Sequence, residues 1–170
     1  MTAPLQTSPF EAETLYRRLA EIVARGLHGY DNLAIVGIHS GGAWLAERLA
    51  RDLDLTERLG FIDVSFYRDD YAQKGLSSTP KPTQIPFEVD GATILLVDDV
   101  LYTGRTTRAA INELFDYGRP KKIMLATLVD RGGRELPVQA DFAAATTVIS
   151  PDQALVLQRA SGGTLTLTIE

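Results

Sequence analysis

Three short runs in this sequence, Leu33 to Ile38, Thr93 to Val97 and Ile123 to Val129, are apolar at nearly every position rather than at every second one. A strand that is apolar on both faces has to be covered on both. Parallel sheets are built that way, because their crossover connections lay helices over each face. The chain supplies the covers. Leu15, Leu19, Ile22 and Val23 recur at helical spacing up to Gly26, and Trp44, Leu45, Leu49 and Leu53 mark a second helix. In a third helix, stopped by Gly118 and Pro120, Ala110, Ile111, Leu114 and Phe115 are expected to face inward. At the first helix Ser8 reads as the N-cap, with Pro9 in the first turn and Glu11 closing a capping box. The expectation is an α/β protein with a mostly parallel, doubly wound sheet, formed by residues 1–170 as one domain, a size at which a single core suffices.

The remaining segments are less regular. Phe61 to Tyr67 alternates apolar and polar residues and reads as a strand with one polar face. Arg68 to Val89 is rich in Asp, Ser, Thr, Pro and Lys, shows no period, and is too long for an ordinary connection, so it reads as a functional lid or a disordered loop. Ala154 to Leu157 and Leu165 to Ile169, separated by Ser161-Gly162-Gly163, suggest a terminal hairpin.

Composition removes several classes of function. With no cysteine there are no disulfides, thiol nucleophiles or thiolate-bound metals. Two distant histidines, His28 and His39, argue against a dedicated zinc site. A net charge of −5 provides no global attraction to nucleic acid or anionic lipid. No apolar run approaches the roughly 18 residues of a membrane span, and Met1 to Glu11 lacks the features of a signal peptide, so no membrane association is expected and the expected compartment is the cytoplasm.

Ligands of doubly wound sheets bind outside the carboxyl ends of the strands. Two glycine-containing turns, Ser40 to Gly42 and Thr103-Gly104, fall there, as does the pair Asp98-Asp99, and one crevice should hold all three. The stretch from Ile94 to Thr107 is the most informative: a buried strand, two carboxylates, then a small hydroxylated loop opening a helix. Such a loop suits phosphate. First-turn amides lack partners within their helix, the helix dipole is positive there, Gly104 lets the backbone approach closely, and Thr103, Thr106 and Thr107 add hydroxyls. The carboxylates upstream would repel that phosphate and need sugar hydroxyls or a metal ion as partners. A ribose 5-phosphate satisfies both halves. Neither a Walker A loop nor G-x-G-x-x-G is present, which disfavours those nucleotide classes.

Val97 to Thr106, read as Val-Asp-Asp-Val-Leu-Tyr-Thr-Gly-Arg-Thr, resembles the signature of type I phosphoribosyltransferases, which bind phosphoribosyl pyrophosphate (PRPP). Asp63 to Asp70, Gly118 to Pro120 and Leu128 to Pro137 are similar in type and order to the PyrR group of that family, bifunctional pyrimidine operon attenuators that are also uracil phosphoribosyltransferases. The resemblance spans about residue 33 to residue 150. It implies the type I phosphoribosyltransferase fold with a small hood and a flexible loop, and a Mg²⁺-dependent transfer from PRPP to uracil giving UMP and pyrophosphate.

Carried onto this chain, the resemblance gives Asp98 and Asp99 to the ribose hydroxyls and Thr103, Gly104, Arg105, Thr106 and Thr107 to the 5-phosphate. His39, Ser40, Gly41 and Gly42, with Arg68, fall to pyrophosphate, and Val129, Asp130 and Arg131 to the base, with Arg134 and Glu135 in the hood. Alternation along a strand sends the two carboxylates to opposite faces, so one would meet the ribose directly and the other act through Arg105, a metal or the loop backbone. The PyrR group leads us to expect a basic residue where Gly41 stands, which leaves pyrophosphate to amides, Mg²⁺ and Arg68. Tyr67 to Asp70, with Lys74 and Lys81, resembles the loop that closes over the site and keeps water from the ribosyl cation. No dedicated metal site is implied, since Mg²⁺ arrives on the diphosphate.

The competing reading is a weakly catalytic or non-catalytic RNA-binding attenuator that senses UMP or UTP in the same pocket. Its candidate grip on an mRNA leader is Arg17, Arg18 and Arg25, with Arg119, Lys121, Lys122 and Arg134. A transferase for another base is a more distant alternative. The family resemblance also implies a homodimer or larger homo-oligomer.

Overall fold

The structure, a computed structural model, describes residues 10–64 and 82–170. Ser8 and Pro9 lie outside them, as do Arg68, Lys74, Lys81 and the greater part of the expected lid.

The helices are α1 (Ala12–Gly26), α2 (Gly41–Asp52) and α3 (Arg105–Tyr117), and the strands are β1 (Leu33–Ile38), β2 (Leu59–Ile62), β3 (Thr93–Leu101), β4 (Lys122–Asp130), β5 (Phe142–Thr146), β6 (Leu155–Arg159) and β7 (Leu165–Ile169). The first five strands form one wholly parallel sheet in the order β2-β1-β3-β4-β5, while β6 and β7 pair as an antiparallel hairpin. Doubly wound α/β architecture is therefore present as expected.

Alternation along the central strands divides the core into two layers. Ile35, Leu95, Val97, Met124, Ala126 and Leu128 meet α1, α2 and the terminal hairpin on one face. Val36, Ile38, Ile94, Leu96 and Leu125 meet Ala110 and Leu114 of α3 and the segment leading into β3 on the other. The connections leaving β1 and β3 thus cross opposite faces in opposite directions, which makes the gap between these two strands the topological switch point of the sheet.

Several local expectations change. Helix α1 starts at Ala12 with Glu11 as the N-cap residue, its carboxylate accepting from the Thr14 hydroxyl rather than closing a capping box from Ser8. Phe115 is 54% exposed, because it lies one residue, some 100°, past the inward Leu114. Strand β2 ends at Ile62, and Ser65 to Tyr67 lie outside the described residues. The lid expected over Arg68 to Val89 does not extend to its last residues. Gln84 exchanges two backbone hydrogen bonds of 2.8 Å with Phe61, Thr83 donates to Glu113, Ile85 and Phe87 pack on the core, and Val89 is buried. The alternation of Ile85, Phe87 and Val89 explains why: it is a period-two apolar face of the kind that docks against a sheet. Strand β5, with its small residues Ala143 to Ala145, had no sequence signal strong enough to predict it.

A polar clasp joins the first helix to the last hairpin. Arg48 of α2 makes two hydrogen bonds to Glu13 of α1, at 2.6 and 3.0 Å, and a third to the Gly163 carbonyl at 2.5 Å, while Glu13 accepts the Leu165 amide at 2.7 Å. The Arg48 guanidinium beside Glu13 holds its carboxyl below the usual range.

Close backbone contact fixes the start of α2. A Cβ on Gly42 would lie 2.3 Å from the Val97 carbonyl oxygen and 3.0 Å from the Asp98 Cα, and one on Gly37 would lie 2.7 Å from the Ala43 Cα. These are backbone atoms that cannot step aside. We therefore expect Gly42→Ala to cost about 2 kcal/mol by forcing α2 off β3, lowering Tm by roughly 4–8 °C. Gly162→Ala, at a site with open space around it, should leave Tm unchanged in the same calorimetric scan.

Candidate functional site

Strand β3 is paired on both edges only as far as Val97. Its partner on one side, β1, ends its register at Gly37 opposite Val97, and the chain turns through His39 and Ser40 into α2. On the other side pairing with β4 continues through Asp98, Val100 and Leu101. Beyond Val97, then, β3 is paired on one edge only, and Asp98 and Asp99 are the first residues past that point.

By the alternation that sorts the core, Asp98 follows Ile94 and Leu96 toward α3, and Asp99 follows Leu95 and Val97 toward α2. Both are buried, at 4% and 8% exposure. Asp98 Oδ1 accepts the Asp99 amide and Asp99 Oδ1 accepts the Val100 amide, each at 2.9 Å. The main chain beneath them is held by Thr127, whose hydroxyl donates to the Asp99 carbonyl at 3.2 Å. Thr127 escaped notice in the sequence; a hydroxyl amid the apolar run of β4 was its only signal.

The first turn of α2 lies directly against this pair. Ser40 is the N-cap residue, so Gly41 and Gly42 are already helical, not part of a loop as expected. A Cβ on Gly41 would stand 2.4 Å from Asp99 Oδ2. Here is a physical reason for glycine where a basic residue was expected: any side chain would compete with the Asp99 carboxylate for space. His39 donates its amide to the Ile62 carbonyl at 2.9 Å and sets its ring 5.4 Å from that of Phe61.

The second helix start is α3. Gly104 occupies its N-cap with φ of 97°, a left-handed conformation that side chains resist. Thr103 Oγ1 accepts the Arg105 amide at 3.2 Å. Thr107, 1% exposed, buries a hydroxyl without a protein hydrogen-bond partner in the first turn of the helix. Over this turn folds the segment that follows β4. Gly132 and Gly133, with φ of 70° and 73°, reverse the chain. The Glu135 and Leu136 amides donate to the Thr103 carbonyl at 3.0 and 3.1 Å, Arg105 pairs with Glu135, and Val138 sits over Gly104. This segment carries Arg134 and Glu135, the residues expected in the hood, and is called the hood.

Within the hood the side chains of Val129, Asp130 and Arg131 are all engaged. Val129 is buried in the core. Asp130 accepts from the Gly132 amide at 2.9 Å and from Arg134 at 2.6 Å. Arg131, 6% exposed, stacks 3.9 Å above the Tyr102 ring and donates to the carbonyls of Gln153 and Ser150 at 2.9 and 3.1 Å. Arg134 is likewise inside the hood and not on a basic face. Arg17, Arg18 and Arg25 are exposed along α1, with Arg25 paired to Glu21 at 2.9 Å, and Arg119, Lys121 and Lys122 are exposed at the amino end of β4. Trp44 packs against the core beneath Arg159, and His28 is exposed.

Among the described residues, no three His, Asp or Glu side chains converge as a metal cage, and no helix is long and apolar enough to cross a membrane. A divalent ion at this site could draw on one of these carboxylates, since the two face opposite sides of the sheet, and would need further oxygens from a ligand, which fits an ion carried on a diphosphate.

Residues 10–157 match the phosphoribosyl transferase domain family. A protein described as bifunctional protein PyrR from Ralstonia nicotianae is 48% identical over 161 residues, covering 94% of this chain and 92% of its own. A protein of the same description from Pseudomonas aeruginosa is 47% identical over 154 residues, covering 91% and 87%. Among solved structures, a hypoxanthine-guanine phosphoribosyltransferase from Bacillus anthracis shares the fold with a TM-score of 0.66, over 91% of this chain and 88% of its own, at 18% identity. The resemblance first seen in ten residues of β3 and its following loop thus extends from the first helix into the terminal hairpin, and the chain belongs to the phosphoribosyl transferase family.

Proposed function

We propose that this chain transfers the 5-phosphoribosyl group of PRPP to uracil, forming UMP and releasing pyrophosphate. One observation carries the reading: a buried carboxylate pair stands between two helix N-termini, α2 beside Asp99 and α3 beyond Asp98. Helix starts favour anions and carboxylates favour hydroxyl donors. The complementary ligand is anionic at both ends and carries a diol between them, which is the outline of PRPP.

On this reading Thr103, Gly104, Arg105, Thr106 and Thr107 receive the 5-phosphate through first-turn amides and hydroxyls at the start of α3. One of Asp98 and Asp99 accepts the ribose hydroxyls directly while the other, on the opposite face of the sheet, acts through Arg105, a metal or the loop backbone. Their charge opposes the positive charge that develops at the ribose carbon as the bond to pyrophosphate breaks. His39, Ser40, Gly41 and Gly42 face the departing pyrophosphate, and Arg68, which lies outside the described residues, adds a charge there. Because the side chains of Val129, Asp130 and Arg131 are engaged elsewhere, the hood would read uracil through its backbone. Mg²⁺ on the diphosphate, with Asp98 or Asp99 as the protein ligand, would neutralise the leaving group. The working form is a homodimer or larger homo-oligomer, as the family resemblance implies, with residues 1–170 as one domain and the cytoplasm as its compartment.

The direct test is pyrophosphate release from PRPP and Mg²⁺ with uracil, hypoxanthine, xanthine and orotate supplied separately. Uracil should be turned over at least about tenfold faster than the others, because a site built to hydrogen-bond one base edge leaves its own polar groups unpaired against another. Equal rates would overturn the base assignment.

A second experiment addresses the carboxylates. Asp98→Asn with Asp99→Asn should lower turnover by about 100-fold or more, while Tm holds or rises, since two buried neighbouring carboxylates repel each other in the free protein. Unchanged turnover would remove both residues from the ribose site.

The second function, regulation of pyrimidine genes through an mRNA leader, rests on the resemblance to attenuators and on the exposed arginines of α1. Leader binding should weaken steeply with salt, and Arg17→Ala with Arg18→Ala should flatten the slope by as much as about two phosphate contacts without altering uracil transfer. A leader that fails to bind at low salt would leave the chain an enzyme alone.

A further inference from the structure

A phosphate-binding helix start has an internal difficulty: the loop that brings amides to the anion also brings carbonyl oxygens, and a carbonyl aimed at a phosphate repels it. In this chain the carbonyls next to Gly104 are each engaged elsewhere. The Gly104 carbonyl accepts the Arg108 amide within α3, at 3.0 Å. The Thr103 carbonyl takes the two hood amides of Glu135 and Leu136. The Tyr102 carbonyl accepts from a side chain, Arg134 Nη1, at 2.7 Å.

Arg134 does more than occupy that carbonyl. Its Nε donates to the Val138 carbonyl at 2.7 Å, and its Nη2 to Asp130 Oδ2 at 2.6 Å. One planar guanidinium therefore ties together the end of β4, the far limb of the hood and the residue that opens the phosphate loop. The glycines before it make this reach feasible. A Cβ on Gly133 would lie 2.5 Å from the Tyr102 ring, so only glycine lets the hood pass this close to the loop. The group sits 24% exposed, where a fork of fixed donors can meet three acceptors that a lysine cannot.

We propose that Arg134 is a positioning residue for 5-phosphate binding: it holds the Tyr102 carbonyl toward the hood, so that the amides of the Gly104 to Thr107 turn face the anion. It acts through the loop and touches no substrate. This inference rests on the phosphate assignment of the preceding section and adds the part that sets the loop's orientation.

The test measures ribose 5-phosphate affinity by titration calorimetry, together with PRPP KM and kcat, for wild type, Arg134→Ala and Arg134→Lys. We expect Arg134→Ala to weaken ribose 5-phosphate binding about tenfold and to raise PRPP KM by the same factor, with kcat at saturating PRPP changed far less. Arg134→Lys should recover most of the Tm lost in the alanine variant but only part of the affinity, since one ammonium cannot span the three acceptors. A folded variant that binds ribose 5-phosphate as tightly as wild type would overturn the proposal. So would a lysine variant that fails to fold, or KM and kcat deteriorating in step with Tm, because those results describe a purely structural residue. If wild-type protein itself does not bind ribose 5-phosphate, the phosphate assignment fails first and takes this inference with it.

Discussion

The architecture of the site depends on how closely the first turn of α2 lies on β3. Gly42 rests on the Val97 carbonyl and Gly41 on the Asp99 carboxylate, with Gly37 of β1 admitting the body of the helix beside them. Nothing bulkier than hydrogen fits between these backbones. The contact directs α2 across one face of the sheet just where α3 departs across the other, and the crevice at the switch point is the space left between the two helix starts. Asp98 and Asp99 are buried there because β4 continues to pair with β3 after β1 has left it.

On the opposite wall the arrangement is polar. The turn from Tyr102 to Gly104 has no second strand to brace it, so the Tyr102 and Thr103 carbonyls are taken up by Arg134 and by the Glu135 and Leu136 amides, while Arg131 stacks on Tyr102 and reaches across to Ser150 and Gln153. One wall is thus set by steric contact and the other by directed hydrogen bonds. The first tolerates no added atoms, whereas the second depends on every donor finding its acceptor.

Much of this was legible in the sequence, for identifiable reasons. Runs apolar on both faces required a sheet covered on both faces, and β1, β3 and β4 lie where those runs lie. Asp98-Asp99 and Thr103-Gly104 were expected beyond the buried part of a strand and at the start of a helix, and they lie near the end of β3 and at the N-cap of α3. The failures also have causes. Phe115 was placed inward from an apolar residue's identity, when its angle on the helix sends it to solvent. The Ile85, Phe87 and Val89 face was hidden by the polar residues around it, and β5 is too small-sided to stand out. The hydrogen bonds that hold the Arg131 and Arg134 side chains could not be read, since a surface arginine and one clamped among carbonyls are the same letter. Thr127 could have been suspected, because a hydroxyl within a buried strand must bond to something.

The clasp between α1, α2 and the β6–β7 hairpin bears on how the protein is made. Glu13 accepts the amide of Leu165, 152 positions later, and Arg48 closes on the Gly163 carbonyl at the same junction. A nascent chain emerges from its amino end, so α1 and α2 are released long before the hairpin that completes their partners. Until residue 165 is free, one apolar flank of both helices stays uncovered and the junction lacks two of its hydrogen bonds. Helix α1 gains these two hydrogen bonds only after residue 165 has left the ribosome, and the sheet must hold its shape in the interval without that seal.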